Sequence, residues 1–506
     1  MKVTNLIHTQ HLQKEELLYL LTCSGEEEKE LFAYTQQLRN KRLGNGVYMR
    51  GLIEISNICT KDCLYCGIRK SNLHANRYQL SDEEIIEAAR YAWEHHYGSI
   101  VLQGGERSDT TFILRIEKLL QTIKQLSHHE LGITLSLGEQ SLDTYKRWFD
   151  AGAHRYLLRI ETSNPKLYHK IHPQNKQHDF QTRLQCIQSL QKLGYQTGTG
   201  VMIGLPFQTL NDMVDDLIFL QTLNIDMVGM GPYLEHKDTP LWQERENLLS
   251  QAERLRLGLH MISCLRLLMP DINIAATTAL QAIDPFGREK ALEIGANVIM
   301  PNITPTLNRA NYRLYENKPG MDEGAEESTK RLIASVQKSG CKIQLNEWGD
   351  SLHWKNKQQS TTPVGDDNSN HAPKDFEDDT NSDASEENIS VNENDERINI
   401  SPKLKEAHKH ESITITSMNI TSITGTDYAK VGLNIRNDGE YIPGFSMLVT
   451  FYKKDGSVLS EVYMSSPSIT PSEVVYVEED VFQRVIDAYD YSFTYFIVDD
   501  EGGGGL

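Results

Sequence analysis

Asn57-Ile58-Cys59-Thr60-Lys61-Asp62-Cys63-Leu64-Tyr65-Cys66-Gly67 is the stretch whose reading decides the fold. It sets three cysteines at C-x3-C-x2-C spacing within eight residues. Thiolates are soft ligands, and a short irregular loop can wrap three of them around one iron–sulfur cluster. A cubane has four irons, so three cysteines leave one iron open to a substrate or cofactor. The competing reading is an incomplete zinc knuckle or a chance grouping. Zinc sites ordinarily show two C-x2-C-like halves, or histidines at matched spacing. Here Cys23, Cys186, Cys264 and Cys341 are scattered singly, and His74 belongs to no paired pattern.

Upstream of the loop, Leu17, Leu18, Leu20 and Leu21, then Leu31, Phe32 and Leu38, have helical spacing within residues 10–40. A strand-like run from Val47 to Ser56 delivers the chain into the cysteines. Downstream, Ser81-Asp82-Glu83-Glu84 is a capping box that opens a helix to about Tyr97. Strands and helices then alternate. Strands are predicted at 99–103, 132–137, 154–160, 197–203, 226–230, 273–277 and 297–300. Helices are predicted at 111–126, 141–151, 179–193, 210–223, 251–268 and 284–294, with a closing helix at 325–339. With 47–56, the strands make eight βα units, which predicts a complete (βα)8 barrel over residues 1–354.

Residues 355–410 read as an acidic, low-complexity, disordered linker. Between 364 and 397, twelve Asp and Glu face only Lys374 and Arg397, which accounts for most of the formal charge of −19. Residues 411–500 alternate as in Ile413-Thr414-Ile415 and Met447–Tyr452, with Asp438-Gly439 and Asp455-Gly456 turns. They predict a small antiparallel β-sandwich, Ig-like in size. Residues 501–506 are an expected flexible tail. The acidity argues against nucleic-acid binding through a basic face. Seven cysteines with three clustered are no disulfide framework. No apolar run approaches the length of a membrane span, and the first residues lack a signal-peptide core. A cytoplasmic, reducing and anaerobic setting is expected, because an exposed open cluster is oxygen-sensitive.

Catalysis in such barrels lies at the C-terminal ends of the strands, where the cysteine loop sits. The next strand ends in Gln103-Gly104-Gly105-Glu106, whose glycines let backbone approach a ligand. In Arg155–Glu161, alternation puts Arg155, Arg159 and Glu161 on one face. Such charges are either a structural ion pair or ligand groups: guanidinium binds carboxylate, and carboxylate accepts from ribose hydroxyls. Arg183 is a second carboxylate candidate on the following helix. Val201 and Met202 offer apolar contact to a flat ring, beside Gly200 and Gly204. Thr134 and Ser136 share a face, and Thr277-Thr278 adds two hydroxyls.

The cysteine spacing, with the aromatic Tyr65 before the last cysteine, resembles the radical S-adenosylmethionine (SAM) enzymes. In that family the open iron chelates SAM, and an electron from the cluster cleaves it to methionine and a 5′-deoxyadenosyl radical. Asn57–Arg69, Thr134–Glu139, Arg155–Thr162, Val201–Pro206, Met227–Pro232, Ala275–Ala279 and Gly295–Asn302, taken in order, are similar to the HydE maturases of [FeFe]-hydrogenase. Biotin synthase and methylornithine synthase share that scaffold.

The resemblance implies that Cys59, Cys63 and Cys66 hold a single [4Fe-4S] cluster. It implies that Tyr65, Gln103, Gly104, Gly105, Glu106, Ser136, Glu161, Arg183, Val201 and Met202 meet SAM. Thr134, Arg155, Arg159, Thr277, Thr278, Met300 and Tyr312 would line the substrate chamber. The implied substrate is a cysteine-bound Fe(CO)2CN species made by HydG, and the product passes toward HydF. Three departures stand out. Only Cys341 follows Cys264, so the second cluster of some HydE proteins is expected to be absent. Ile160 stands where the family is expected to carry a polar residue. The chain beyond 355 has no counterpart in the HydE barrel. A methylornithine synthase-like mutase, or a non-enzymatic iron–sulfur carrier with a docking β-domain, are the alternative readings.

Overall fold

The computed structural model describes residues 2–9, 12–320, 324–360, 389–392, 396–423, 428–442, 445–482 and 485–497. The chain divides into two units, one up to Asp366 and one from Asp367.

The first unit is TIM-barrel-like. Its parallel strands are β1 (Gly46–Ser56), β2 (Ser99–Gly104), β3 (Gly132–Ser136), β4 (Arg155–Leu157) and β5 (Gln196–Thr199). After β5 come β6 (Met202–Ile203), β7 (Met227–Val228), β8 (Gly231–Pro232), β9 (Asn273–Ile274), β10 (Val298–Ile299) and β11 (Lys342–Gln344). The order is β10-β1-β2-β3-β4-β5-β7-β9, with β11 added beside β1 and a separate β6-β8 pair. Beyond β9, Ala275 bridges Val298, and the Asn297 and Ala276 N–H groups donate to Ile274 O and Val298 O at 2.9 Å.

Helices follow the strands because each presents an apolar face. In Asp82–Glu94, for example, Ile85, Ala88, Ala89 and Ala92 are buried, and the Ser81 capping box is formed at its start. Trp148, Tyr145 and Tyr156 lie fully buried between the sheet and its helices.

The expected strands are present but several are shorter. The expected 154–160 strand stops at Leu157, and Glu161 has φ +71°. Pairing lapses over residues 158–160 and resumes at Glu161, which bridges Val201 from that left-handed conformation. The expected 197–203 strand is broken into β5 and β6. Residues 226–230 hold only β7. A helix absent from the sequence reading, Thr278–Ile283, begins where a strand was expected to end. Helix Leu352–Ser360 runs across the predicted boundary at 354.

The segment after β11 plugs the N-terminal end of the barrel. Arg155, fully buried, donates Nη1 to Asp350 Oδ1 and Trp348 O at 2.7 Å, and Nε to Thr134 Oγ1 at 3.0 Å. Arg50 and Asn273 both donate to Gly349 O. Burial and the Arg155 charge push His154, beside Asp350, down to about 3. Breaking this pair leaves a buried charge uncompensated, which typically costs about 3–5 kcal/mol. Asp350→Asn is therefore expected to lower the melting temperature of the barrel while leaving SAM cleavage per cluster unchanged. The neutral His154 adds a pH signature. Its folded value lies below the ordinary histidine value, so its contribution is lost as pH falls from 6.5 toward 3, at up to about 1.4 kcal/mol per unit. The melting temperature should fall between pH 7 and pH 5, and fall less in His154→Gln.

The second unit is antiparallel. Its strands are β12 (Ile389–Val391), β13 (Glu396–Asn399), β14 (His408–His410), β15 (Ile413–Ile423) and β16 (Tyr428–Asn437). They continue as β17 (Phe445–Tyr452), β18 (Val458–Ser466), β19 (Val474–Phe482) and β20 (Asp490–Ile497). One sheet has the order β12-β13-β15-β16-β19, with β14 on β15; the other is β18-β17-β20. Alternating residues such as Val431, Leu433 and Ile435, and Met447, Val449 and Phe451, form its core. The sequence reading places residues 389–410 in the linker. Instead they supply β12, β13, a short 3-10 turn and β14. Acidic residues among Ile389, Val391 and Ile398 hid the alternation. Residues 361–388 of the expected linker, and the tail, lie outside the described residues. Among the described residues no helix is long and apolar enough to cross a membrane.

Candidate active site

The loop after β1 has little regular structure, and side chains hold it. Arg77 donates to the carbonyls of Asn57, Ile68, Arg69 and Asn72 at 2.6–3.1 Å. Asn57 donates to Asn76 O and Asn311 O and accepts from the Tyr78 N–H. The Asp62 N–H donates to His178 Nε2 at 2.8 Å, and its carboxylate accepts from Arg69 and Ser71. Gly105 must be glycine, because a Cβ there would lie 2.3 Å from Ile58 O and 2.9 Å from the Cys59 Cβ. The backbone N–H of Glu106 donates to Cys59 Sγ at 3.3 Å.

Cys59, Cys63 and Cys66 line one cavity of about 330 Å³ at the C-terminal ends of the strands. Among the described residues no three His, Cys, Asp or Glu side chains gather as a single-ion site. Three soft thiols lining one cavity are a donor set suited to an iron–sulfur cluster. Burial pushes the thiols up, Cys66 to about 12, so without a cation they stay protonated. Bound iron would reverse this. Tyr65 packs edge-on to His172 at 5.3 Å. Burial holds His172 neutral, down at about 3. Its Nδ1–H donates to Tyr168 O at 2.9 Å, leaving Nε2 3.4 Å from the Tyr65 hydroxyl as acceptor.

Four charges join the turns around the mouth. Lys61 Nζ lies 2.6 Å from Glu139 Oε2 and 3.1 Å from Glu106 Oε1. Arg183 Nη1 lies 3.0 Å from both carboxylates and its Nε donates to Arg159 O. The set is neutral and only 11–15% exposed. It ties the cysteine loop, the turns after β2 and β3, and helix Phe180–Lys192. Burial raises the Glu106 carboxyl against the pull of Arg183. Lys61 and Glu139 did not figure among the sequence-derived site residues. A lysine inside the cysteine loop was the signal.

Glu161 is the oddest residue in the cavity. It is almost fully buried, its φ is +71°, and its Oε2 receives no hydrogen bond. Arg159 Nη2 is 3.1 Å from that oxygen but points its hydrogen bond at Val201 O. A buried acceptor with no donor suits a hydroxyl-rich ligand. Gln103, Gly104, Gly105, Ser136 and Met202 line the same cavity. Of the expected substrate residues, Arg159, Thr277, Thr278, Met300 and Tyr312 also line it.

Three expected residues do not. Val201 is buried in the hydrophobic core, and only its carbonyl serves the site. Thr134 and Arg155 bond each other at the barrel floor, so the sequence-based assignment of both to the chamber is corrected to a structural one. The cavity gains Glu54 on β1 and Lys318, which form a buried pair beside Tyr312. Alternation within the apolar β1 could have flagged Glu54. Lys318 lies on an irregular segment with no such cue. The Ile160 side chain faces the apolar core. Cys341 is buried and accepts from Arg39.

The family model of the Radical SAM superfamily matches residues 53–220. The chain resembles the crystal structure of methylornithine synthase, with TM-score 0.58 at 24% identity over 68% of this chain and 97% of that one. It also resembles HydG from Carboxydothermus hydrogenoformans, with TM-score 0.56 at 18% identity over 68% and 79%. Both likenesses speak to the fold alone. The fold and the cysteine-lined chamber together define a radical SAM enzyme, a class that carries a [4Fe-4S] cluster and SAM. In sequence the chain is 28% identical to 3-methylornithine synthase of Methanosarcina acetivorans over 60% of this chain and 83% of that protein. It is 45% identical to the [FeFe] hydrogenase maturase subunit HydE of Thermotoga maritima over 288 residues, 57% of this chain and 79% of that protein. The chain belongs to the HydE family of hydrogenase maturases.

Proposed function

We propose that Cys59, Cys63 and Cys66 hold one [4Fe-4S] cluster and that the chain acts, with SAM, on a cysteine-bound Fe(CO)2CN species during assembly of the hydrogenase H-cluster. The observation that carries this reading is one cavity lined by all three thiols, by the undonated Glu161 oxygen, and by Arg159, Thr277 and Thr278. When bound and reduced, the cluster supplies the electron that cleaves SAM. Glu161 accepts from the ribose hydroxyls. The Gln103–Glu106 turn and Ser136 meet the methionyl end, and Arg183, held by Glu106 and Glu139, meets its carboxylate. Arg159 and the two threonine hydroxyls hold the substrate carboxylate, with Met300 and Tyr312 as chamber wall. Bridging of Ala275 to Val298 supports a complete (βα)8 barrel.

The test is anaerobic turnover of reconstituted protein with SAM, dithionite and the product of HydG. Formation of 5′-deoxyadenosine or an adenosylated product that depends on the HydG product is expected. Turnover with lysine instead would favour the methylornithine synthase-like reading, and no SAM product at all would favour a carrier.

The second unit is proposed as a docking module for HydF or the hydrogenase. Ending the chain after residue 360 should spare SAM cleavage and weaken maturation at least several-fold. Collapse of cleavage in that variant would contradict the proposal.

A further inference from the structure

Glu161 is held in a backbone conformation that L-residues disfavour, with its Oε2 ion-paired to Arg159 at 3.1 Å but receiving no hydrogen bond. Something must fix it. In front, its N–H donates to Gly200 O and its carbonyl accepts from the Met202 N–H, both at 2.9 Å. Behind it stands Asp216, fully buried on the inner face of helix Leu210–Thr222 beside Met213, Leu217 and Leu220.

Asp216 Oδ1 accepts from the Ser163 N–H at 2.6 Å, from Ser163 Oγ at 2.7 Å and from Thr162 Oγ1 at 3.4 Å. Its other oxygen accepts from Gln208 Nε2 at 3.4 Å. Gln208 also donates to Met202 O at 3.1 Å, and its Oε1 accepts from the Gly204 and Leu205 N–H groups. One carboxylate thus grips both loops that frame the cavity: the residues just after Glu161, and the turn just after Met202. That turn contains a second left-handed residue, Phe207, with φ +69°. Burying a carboxylate on neutral donors is costly, and an apolar residue would continue the helix's buried face without that cost. The helix does not need the charge; the loops do.

We propose that Asp216 is a positioning residue for SAM: it clamps the loops after β4 and β6 so that Glu161 and Met202 are presented to the ribose and adenine together. The proposal rests on the reading of Glu161 as a SAM ligand.

The experiment compares reconstituted wild type with Asp216→Asn, which keeps size and one acceptor oxygen but turns an amide toward a donor. The SAM-dependent change in the EPR signal of the reduced cluster gives the Kd. A rise of at least tenfold is expected, with cleavage at saturating SAM within about threefold of wild type. Gln208→Met, which cuts the Met202 arm alone, should raise Kd about threefold. A melting temperature that drops in Asp216→Asn while Kd stays unchanged would make the residue merely structural and overturn the proposal. Should that variant not fold, Ser163→Ala removes one donor alone; a Kd within error of wild type there overturns it equally. If the wild type itself shows no SAM response, the underlying SAM reading fails together with the clamp, and that result is distinct because no variant is needed to see it.

Discussion

Replacing Cys63 by serine is expected to lower SAM cleavage by at least about a thousandfold and to strip iron from the purified protein. Serine offers a hard, poorly ionised oxygen where a soft thiolate is needed. No other thiol can substitute. Cys23 and Cys264 are buried in the apolar core, Cys341 sits under Arg39, and Cys186 donates to Gln140 O behind the chamber wall. Cys186→Ser is the matched control, expected to keep both iron and turnover. Iron content and 5′-deoxyadenosine formation, measured side by side, check the pair. Equal turnover in Cys63→Ser would remove the three-thiolate site.

The next largest effect is expected at Arg183. Arg183→Met leaves Glu106 and Glu139 facing each other with only Lys61 between them. An uncompensated buried charge of this kind typically costs about 3–5 kcal/mol. Loss of the guanidinium also removes the carboxylate partner proposed for SAM, so SAM affinity should fall about a hundredfold. The double variant Arg183→Met, Glu139→Gln restores charge balance to the network. It should recover the melting temperature but not the affinity. Recovery of both would mean that Arg183 only balances charge and does not touch SAM.

The cysteine loop was legible because its chemistry is local: spacing alone defines it. The βα alternation was legible because strands and helices bury apolar residues at different periods. Depth along a strand was not. Alternation places Arg155 and Arg159 on one face, yet Arg155 opens β4 and Arg159 lies beyond its end. One therefore plugs the floor against Asp350 and the other lines the chamber. Lys318 and Asp216 were hidden for another reason. Their partners, Glu54 and Ser163, are distant in sequence, so only the folded chain shows what they hold. In the second unit, β12–β14 were masked by the acidic residues around them, whose composition reads as unstructured whatever their pairing.

The most direct test of the central claim is a SAM titration of anaerobically reconstituted, dithionite-reduced protein followed by EPR, with iron and sulfide assayed on the same sample. The account predicts about four irons and four sulfides per chain and a cluster signal that shifts as SAM is added. Protein that carries zinc without iron, or a cluster signal that does not move at saturating SAM, would contradict it.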